Sequence, residues 1–280
     1  MFPWVYGFTW DAGNIIFLSI FFSVVIVILT ALATASICAS RKMTARQVDE
    51  LKWHDEFNDL SDRARICRHV LTGEITNRKC PNGFDCRVCD LHPSLAAERA
   101  VSHASITGVG PGESKIFGLN MPQDRMYHRG HAWVKCESDG MLSVGLDDFG
   151  KKILGNPDSV ELPEIGTELE VNGTGWHLEK AGARIRILSP VDGKVVATGG
   201  DEDSYYLKVK PDGIADLRHL LKGCEIRPWI LREIERLEAA FANEKVGSSL
   251  ADGGELMNDL PREYPGINWD SVLGEMFLEP

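Results

Sequence analysis

The sequence has no excess of basic residues and none of the common catalytic motifs. Its 30 Lys and Arg residues stand against 41 Asp and Glu, a formal net charge of −11 at pH 7. A general nucleic-acid binder presents a basic face, so we expect no nucleic-acid partner. The chain contains no Ser/His/Asp catalytic order, no H-E-x-x-H motif, no P-loop and no dinucleotide-binding fingerprint. We therefore predict that it is not an enzyme.

Charged residues are also missing from one long stretch near the N-terminus. Residues 15–40 contain no Asp, Glu, Lys or Arg. About 24 residues of helix span about 36 Å, enough to cross a hydrocarbon core of about 30 Å. A cleaved signal peptide begins with basic residues, whereas residues 1–14 contain no Lys or Arg. The sequence therefore predicts an uncleaved anchor over residues 1–40, which contacts the membrane through residues 15–38.

Basic residues follow the apolar stretch closely, at Arg41, Lys42, Arg46 and Lys52. The positive-inside rule then places the rest of the chain in the cytoplasm. We expect a single-pass protein of the inner (cytoplasmic) membrane, with its C-terminal bulk and its thiols in a reducing compartment. Apolar residues recur at steps of three or four after this point, which predicts an amphipathic juxtamembrane helix over residues 41–66.

Four of the seven cysteines cluster in residues 67–95, with the spacing C-x12-C-x5-C-x2-C. They are Cys67, Cys80, Cys86 and Cys89. A C-x2-C pair in a turn lets two thiolates bind one metal ion, so the set predicts either a Zn²⁺ site or an iron-sulfur cluster. His69 and His92 are alternative ligands that could replace one cysteine. Two other interpretations stay open: a redox-active dithiol at Cys86 and Cys89, and buried thiols that bind nothing.

Short apolar runs separated by turn signals follow a Gly- and Ser-rich linker at residues 96–125. The turn dipeptides are Asp139-Gly140, Asn172-Gly173 and Asp192-Gly193. Alternating apolar residues between such dipeptides indicate β-hairpins. We predict a mainly β domain, a small sandwich or flattened barrel, with helices after it and the anchor and Cys-rich helical module before it.

Ordered motifs run through residues 126–223. The motif residues are Tyr127, His131, Trp133 and Val134 in Y-x-x-x-H-x-W-V; Val144, Gly145 and Leu146 in V-G-L; Leu154, Gly155, Val160, Glu161, Leu162, Pro163, Gly166 and Leu169 in L-G-x-x-x-x-V-E-L-P-x-x-G-x-x-L; and Ser189, Pro190, Val191, Gly193 and Val195 in S-P-V-x-G-x-V. This order resembles the H protein of the glycine cleavage system, a relative of the lipoyl and biotinyl carrier domains. The resemblance implies a flattened β-barrel of the lipoyl-carrier type.

The resemblance also implies a lipoyl-lysine, which this chain lacks at the matching position. In the family, that lysine lies in a tight turn, E-S-V-K-A, eight residues before the proline of S-P-V. Counting back from Pro190 gives Gly182, and Glu179 falls on the family glutamate. Lys180 is the nearest amine and the one candidate for lipoyl attachment. We predict that lipoate is absent, because turn geometry depends on position.

A second departure from the family is a short acidic loop at Asp201, Glu202 and Asp203, where the family has a longer segment. Helical spacing then recurs at Leu217, Leu220 and Leu221 and over residues 224–243. The acidic tail, residues 244–280, carries many large apolar residues. It either docks on its own protein or folds on a partner, and both remain open.

These features predict a membrane-anchored, cytoplasm-facing, H-protein-like scaffold for interaction or signalling. It would be non-lipoylated and non-catalytic, with a four-cysteine metal site and with protein partners on the β domain or the acidic tail. One alternative is an active lipoyl carrier that shuttles an aminomethyl or acyl group on Lys180. A further alternative is an iron-sulfur redox sensor whose β domain relays the state of the cluster.

Overall fold

The computed structural model describes residues 11–46, 56–104, 115–199, 205–243, 251–252 and 255–278. The chain divides into two compact units, residues 1–53 and residues 54–280. The acidic loop at Asp201, Glu202 and Asp203 lies outside the described residues, as does Lys52 of the basic flank.

The first unit contains one helix, α1 (Ala12–Arg46). Its section Ile15–Thr34 is long and apolar enough to cross a membrane, and its large apolar side chains are exposed. The hydroxyl groups of Ser23 and Thr30 donate to helix carbonyl oxygens 2.8 and 2.9 Å away. Each of these polar side chains is therefore satisfied within the helix, as a lipid environment requires. A signal sequence would pass the same length and composition test, so membrane anchoring stays a prediction.

The second unit begins with the short helices α2 (Glu56–Asp59) and α3 (Arg68–Leu71), a 3₁₀ turn at Cys86–Val88 and helix α4 (His92–Ala104). The predicted continuous helix over residues 41–66 is wrong for residues 60–66, which form turns and a bridge. Ile66 bridges Lys79, and the N–H of Cys67 donates to the carbonyl of Arg78 at 2.8 Å. Pairing with residues 78–80 thus takes the backbone groups that a helix would use. Residues 47–55 lie outside the described part.

The predicted linker over residues 96–125 also contains regular structure. Helix α4 extends through Ala104, because Leu95–Ala97 and Glu98 favour helix. Strands β1 (Lys115–Ile116) and β2 (Leu119–Asn120) then form a small antiparallel pair.

The β domain consists of two antiparallel sheets around a shared core, which confirms the mainly β fold. Strands β3, β4, β5, β11, β10 and β7 form one sheet in that order, and β6, β8 and β9 form the other. The strands are β3 (Met126–Tyr127), β4 (Ala132–Cys136), β5 (Leu142–Leu146), β6 (Ser159–Glu161), β7 (Glu168–Leu169), β8 (Thr174–Lys180), β9 (Ala183–Leu188), β10 (Gly193–Thr198) and β11 (Leu207–Lys210), and helix α5 (Asp148–Leu154) follows β5. Trp176 stacks on Tyr206 in the core, with ring centroids 5.3 Å apart.

Only one of the three turn dipeptides closes a hairpin. Asp139-Gly140 joins the paired strands β4 and β5, as predicted. Asn172-Gly173 and Asp192-Gly193 instead connect strands that lie in different sheets. The hairpin β8–β9 turns at Ala181 and Gly182, where the resemblance to the H-protein family implied a tight turn.

A long helix and the tail complete the second unit. Residues 214–221 are not helical as their spacing predicted, because Leu221 and Tyr127 exchange backbone hydrogen bonds of 2.8 and 2.9 Å. A 3₁₀ turn at Gly223–Glu225 leads into α6 (Ile226–Asn243), which matches the helix predicted over residues 224–243. Strands β12 (Ala251–Asp252) and β13 (Glu255–Leu256) precede helices α7 (Leu260–Glu263) and α8 (Trp269–Phe277).

The described part of the acidic tail docks on its own protein. Helix α8 packs against β9 and α6. Leu260, Leu273, Met276 and Phe277 are fully buried. Of the two interpretations left open by the sequence, the structure shows the docked one.

A buried imidazole lies at the centre of this packing. The ring of His131 stacks on Phe149 and Trp229, with centroids 4.7 and 5.4 Å away. Its Nδ1 is 3.0 Å from Asp147 Oδ2, and its Nε2 is 3.8 Å from Glu233 Oε2, a charge contact rather than a hydrogen bond. Burial alone would lower the pKa of His131, but the two carboxylates together raise it to about 9. The ring is therefore a buried cation at neutral pH.

A second imidazole, His128, is buried in its neutral form. Its Nδ1 accepts the N–H of Gly130 at 3.1 Å, and its Nε2 donates to Asn172 Oδ1 at 2.9 Å. If Nδ1 were protonated, its hydrogen would clash with the amide hydrogen of Gly130. Burial, together with the nearby His219, lowers the pKa of His128 to about 3.

We expect stability to fall on mild acidification because of His128. The pKa of His128 in the folded state lies below the ordinary value of 6.5, so the unfolded chain takes up a proton first as the pH falls. The contribution of the neutral ring to folding stability is therefore present above pH 6.5 and is lost as the pH falls toward 3. The melting temperature should drop between pH 7 and pH 5, and less steeply in His128→Gln, which keeps a donor toward Asn172. If the melting temperatures of the parent chain and His128→Gln fell equally between pH 7 and pH 5, His128 would not be the group responsible.

Candidate functional site

The hairpin between β8 and β9 carries Gly182, the residue at which counting back from Pro190 places the family lysine. Lys180 pairs with Ala183, so Ala181 and Gly182 form a two-residue turn. Both have positive φ, 52° and 81°, as a type I′ hairpin turn requires. No heavy atom lies within 4 Å of where a Cβ of Gly182 would be. The hairpin tip therefore projects into open space but carries no amine.

Lys180 lies one residue before the turn and points inward. Alternation along β8 directs Trp176, Leu178 and Lys180 to the buried face and Glu179 to solvent. Lys180 is only 7% exposed. In a regular strand, two positions two residues apart share a face, but the chain reverses at Ala181 and Gly182. The two positions therefore point in different directions.

The ammonium group of Lys180 is held by two partners from distant segments. Its Nζ donates to the backbone carbonyl of Asn156 at 2.8 Å and lies 2.9 Å from Asp259 Oδ1. Asp259 is 19% exposed, so the ion pair is largely shielded from water. We call Lys180, Asp259, Asn156 and Gly155 the lysine lock. The sequence offered no signal for this pair, because 79 residues separate its two charged members.

Gly155 makes room for Asp259 in the lysine lock. Gly155 follows α5 with φ 63°, and a Cβ there would lie 2.4 Å from Asp259 Cγ. The N–H of Asp259 donates to the carbonyl of Lys152 at 2.8 Å. Asp259 itself adopts a left-handed conformation with φ 58°, which Asp tolerates better than most residues. The tail thus reaches Lys180 through a close backbone approach that a larger residue at position 155 would block.

A cavity of about 240 Å³ lies beside the lysine lock. Leu146, Leu154, Leu178 and Tyr206 supply its apolar walls, and Asn156 is among its polar groups. This volume is below the range of about 300–1,000 Å³ that is typical of small-molecule sites. The cavity therefore adds no ligand site of ordinary size.

A second candidate site lies in the Cys-rich module. His69 from α3, Cys86 from the 3₁₀ turn and His92 from α4 are all buried, and their ligand atoms lie within 4.8 Å of one another. The four cysteines do not form such a group in the part of the chain that the structure describes. Cys67 is buried, whereas Cys80 and Cys89 are half-buried. The metal prediction therefore stands untested, and the geometry brings together a different set of donors.

Cys80 and Cys67 lie close enough to Cys86 to affect the pKa of its thiol. Burial raises the pKa of the Cys86 thiol to about 11, and repulsion from Cys80 and Cys67 adds to this effect, against the attraction of Arg68. Burial also raises the pKa of Cys67. Without a bound cation the Cys86 thiol stays protonated at neutral pH, which speaks against Cys86 as the nucleophile of a redox-active dithiol.

Buried charges fix the Cys-rich module to the β domain. The Arg68 guanidinium pairs with Glu225 at 2.6 Å and donates to the carbonyl of Arg218 at 2.8 Å. Arg129 donates to the carbonyls of Ile66 and Ala64 at 2.6 and 3.1 Å. These contacts hold the module at a defined place on the fold.

Comparison with known proteins identifies the β domain. The family described as "Glycine cleavage H-protein" matches residues 125–225. The glycine cleavage system H protein of Oceanobacillus iheyensis is 44% identical over 87 residues, 31% of this chain and 68% of that protein. The one from Aromatoleum aromaticum is 32% identical over 114 residues, 36% of this chain and 89% of that protein.

A solved structure of a glycine cleavage system H protein from Mycobacterium marinum is also similar. The two chains are 21% identical, and the match covers 37% of this chain and 94% of the M. marinum chain, with a TM-score of 0.32. A likeness of that size adds nothing to the assignment, which depends on the sequence matches. Through its residues 125–225, the chain belongs to the glycine cleavage H-protein family.

Proposed function

We propose that this chain uses the H-protein fold as a non-lipoylated, non-catalytic scaffold for protein partners. It is tethered by α1 to the inner membrane, with its bulk in the cytoplasm, and it carries a metal ion in the module of residues 67–95, where Cys67, Cys80, Cys86 and Cys89 cluster. One observation carries the proposal: the hairpin tip at Gly182 has no amine, and the nearest amine is held in the lysine lock.

The chemistry of lipoylation supports this proposal. Attachment converts an amine into an amide, so the Nζ atom must lose its charge and reach the active site of a ligase. Lys180 is buried and ion-paired. Amide formation at Lys180 would leave the Asp259 carboxylate, itself largely buried, without its cation, and that loss is costly.

The geometry of the hairpin supports the proposal independently. A carrier arm has to leave the surface of its domain to visit partner enzymes. Lys180 points to the inner face of the sheet, whereas the position that points outward at the tip is Gly182. An arm on Lys180 would start among buried side chains rather than at the exposed turn.

We expect co-expression with a lipoate ligase to leave the chain unmodified and to modify Gly182→Lys. The open space at the tip admits the new side chain, although its positive φ costs about 1–2 kcal/mol. The readout is the intact mass with peptide mapping, and a soluble H protein serves as the positive control. The double variant Gly182→Lys, Lys180→Arg should be modified as well. Lipoate on Lys180 of the parent chain would overturn the proposal.

A second candidate function is favoured by the family membership. The relatives named above are glycine cleavage system H proteins, and an aminomethyl or acyl carrier that uses Lys180 would share their role. Such a carrier requires the lysine lock to open. Asp259→Ala removes the partner of Lys180, so lipoylation that appears in Asp259→Ala alone would identify a carrier that the tail inhibits.

A further inference from the structure

Three side chains that can bind a metal ion lie close together in the Cys-rich module. His69 Nε2 and His92 Nδ1 are 3.1 Å apart, and the Sγ of Cys86 belongs to the same group within 4.8 Å. The donors come from three separate elements, α3, the 3₁₀ turn and α4. All three side chains are buried, so each is positioned by packing rather than by chance contact on the surface.

A carboxylate sets the tautomer of His69. Glu74 Oε2 contacts Nδ1 of His69, so the Nδ1–H group donates a hydrogen bond to this carboxylate. The N–H of Glu74 donates to the carbonyl of His69 at 2.8 Å, and the hydroxyl of Thr72 donates to Glu74 Oε2 at 3.2 Å. The lone pair of His69 is thereby placed on Nε2, the atom that lies 3.1 Å from His92 Nδ1. A carboxylate on the far nitrogen is the usual support of a metal-binding histidine.

The spacing fits a tetrahedral ion. Zinc binds imidazole nitrogen at about 2.0–2.1 Å and thiolate sulfur at about 2.3 Å, so two nitrogens of one tetrahedral ion lie about 3.4 Å apart. The observed 3.1 Å between the two ring nitrogens differs from this by a few tenths of an ångström. Imidazole nitrogen and thiolate sulfur are both ligand types that zinc binds.

We propose that His69 Nε2, His92 Nδ1 and Cys86 Sγ bind one Zn²⁺ ion, and that Cys80 and Cys89 are not ligands. Binding releases the Cys86 thiol proton to solvent as the Zn–S bond forms, and the fourth tetrahedral position is left to a non-protein donor. The ion ties α3 and α4 together across the irregular segment between them. This inference names the ligands of the metal ion in the proposed function. It rests on that part of the proposed function and not on the scaffold role.

Metal content and cobalt substitution of the 280-residue chain test the site. We expect about one zinc per chain by elemental analysis. Replacement of zinc by Co²⁺ should give tetrahedral d–d bands and a thiolate-to-cobalt charge-transfer band. Cys86→Ser should abolish the charge-transfer band, while the matched variants Cys80→Ser and Cys89→Ser should keep both the band and the zinc. Glu74→Gln, which leaves all donors in place, should weaken zinc binding about 10- to 100-fold.

Several outcomes would overturn the proposal. Loss of the band in Cys80→Ser or Cys89→Ser would point to the cysteine set instead. A chain that takes up neither zinc nor cobalt would show that the two rings merely share a hydrogen bond. A brown protein purified without air would indicate an iron-sulfur cluster. The lipoyl test is separate: a chain with zinc and a lipoylated Lys180 would contradict only the scaffold function, and an unmodified chain without zinc would contradict only the metal site.

Discussion

Replacing Glu233 by alanine is expected to lower the free energy of unfolding by about 3–5 kcal/mol, the usual cost of removing one partner from a buried ionic group. Glu233 is fully buried and accepts hydrogen bonds from Trp229 Nε1, at 3.1 Å, and from Arg236. Burial alone would raise the pKa of Glu233, but Arg236 and His131 hold it at about 2. Its removal would leave the buried guanidinium of Arg236 without its carboxylate, and the buried His131 with only one of its two carboxylates.

Denaturant unfolding of the 280-residue chain in a mild detergent measures this effect. The matched control is Glu235→Ala on the same helix, because Glu235 is 48% exposed and pairs with Arg232 at the surface. That change should cost no more than about 0.5 kcal/mol. Glu233→Gln keeps an acceptor for Trp229, so its loss of unfolding free energy should lie between the losses in Glu233→Ala and Glu235→Ala. Equal losses in Glu233→Ala and Glu235→Ala would show that the buried network is not what stabilises α6.

Truncation of Phe277 to alanine should cost a similar amount, about 3–5 kcal/mol, because it leaves a cavity in a fully packed region. Phe277 is fully buried in α8 and meets the ring of His131 edge-on, with centroids 5.7 Å apart. Since α8 follows Asp259 in the same docked tail, a looser tail should also release Lys180. We therefore expect faster labelling of Lys180 by an amine-reactive reagent.

Leu231→Ala is the control for the Phe277 variant. Leu231 is 42% exposed on α6, so its truncation should change neither the unfolding free energy by more than about 0.5 kcal/mol nor the labelling of Lys180. A destabilised Phe277→Ala variant whose Lys180 is labelled no faster would separate the docking of the tail from the lysine lock. Unchanged stability would contradict the docked position of α8.

Local signals predicted the parts of the fold that depend on local physics. Alternating apolar residues and turn signals indicated β-strands in the region that the family match covers, residues 125–225. The helix expected over residues 224–243 appears as Ile226–Asn243. Periodicity failed at residues 214–221, because the pairing of Leu221 with Tyr127 across the fold overrode the local pattern.

The candidate sites depend on long-range contacts, which spacing does not report. Counting back from Pro190 gives Gly182, which lies at the tip of a hairpin, but it could not reveal that Asp259 reaches Lys180. In the Cys-rich module, C-x2-C spacing suggested that Cys86 and Cys89 act together. The 3₁₀ turn ends at Val88, and it buries Cys86 while leaving Cys89 half-exposed. The histidines that complete the donor group were only alternatives in the sequence.

The most direct test of the scaffold function is the intact mass of the 280-residue chain, purified from its native host and measured under denaturing conditions, with peptide mapping around β8. We predict an unmodified Lys180, because Asp259 and Asn156 hold its amine and the tip at Gly182 offers no other. A lipoyl group on Lys180 would contradict the account and make the chain a carrier.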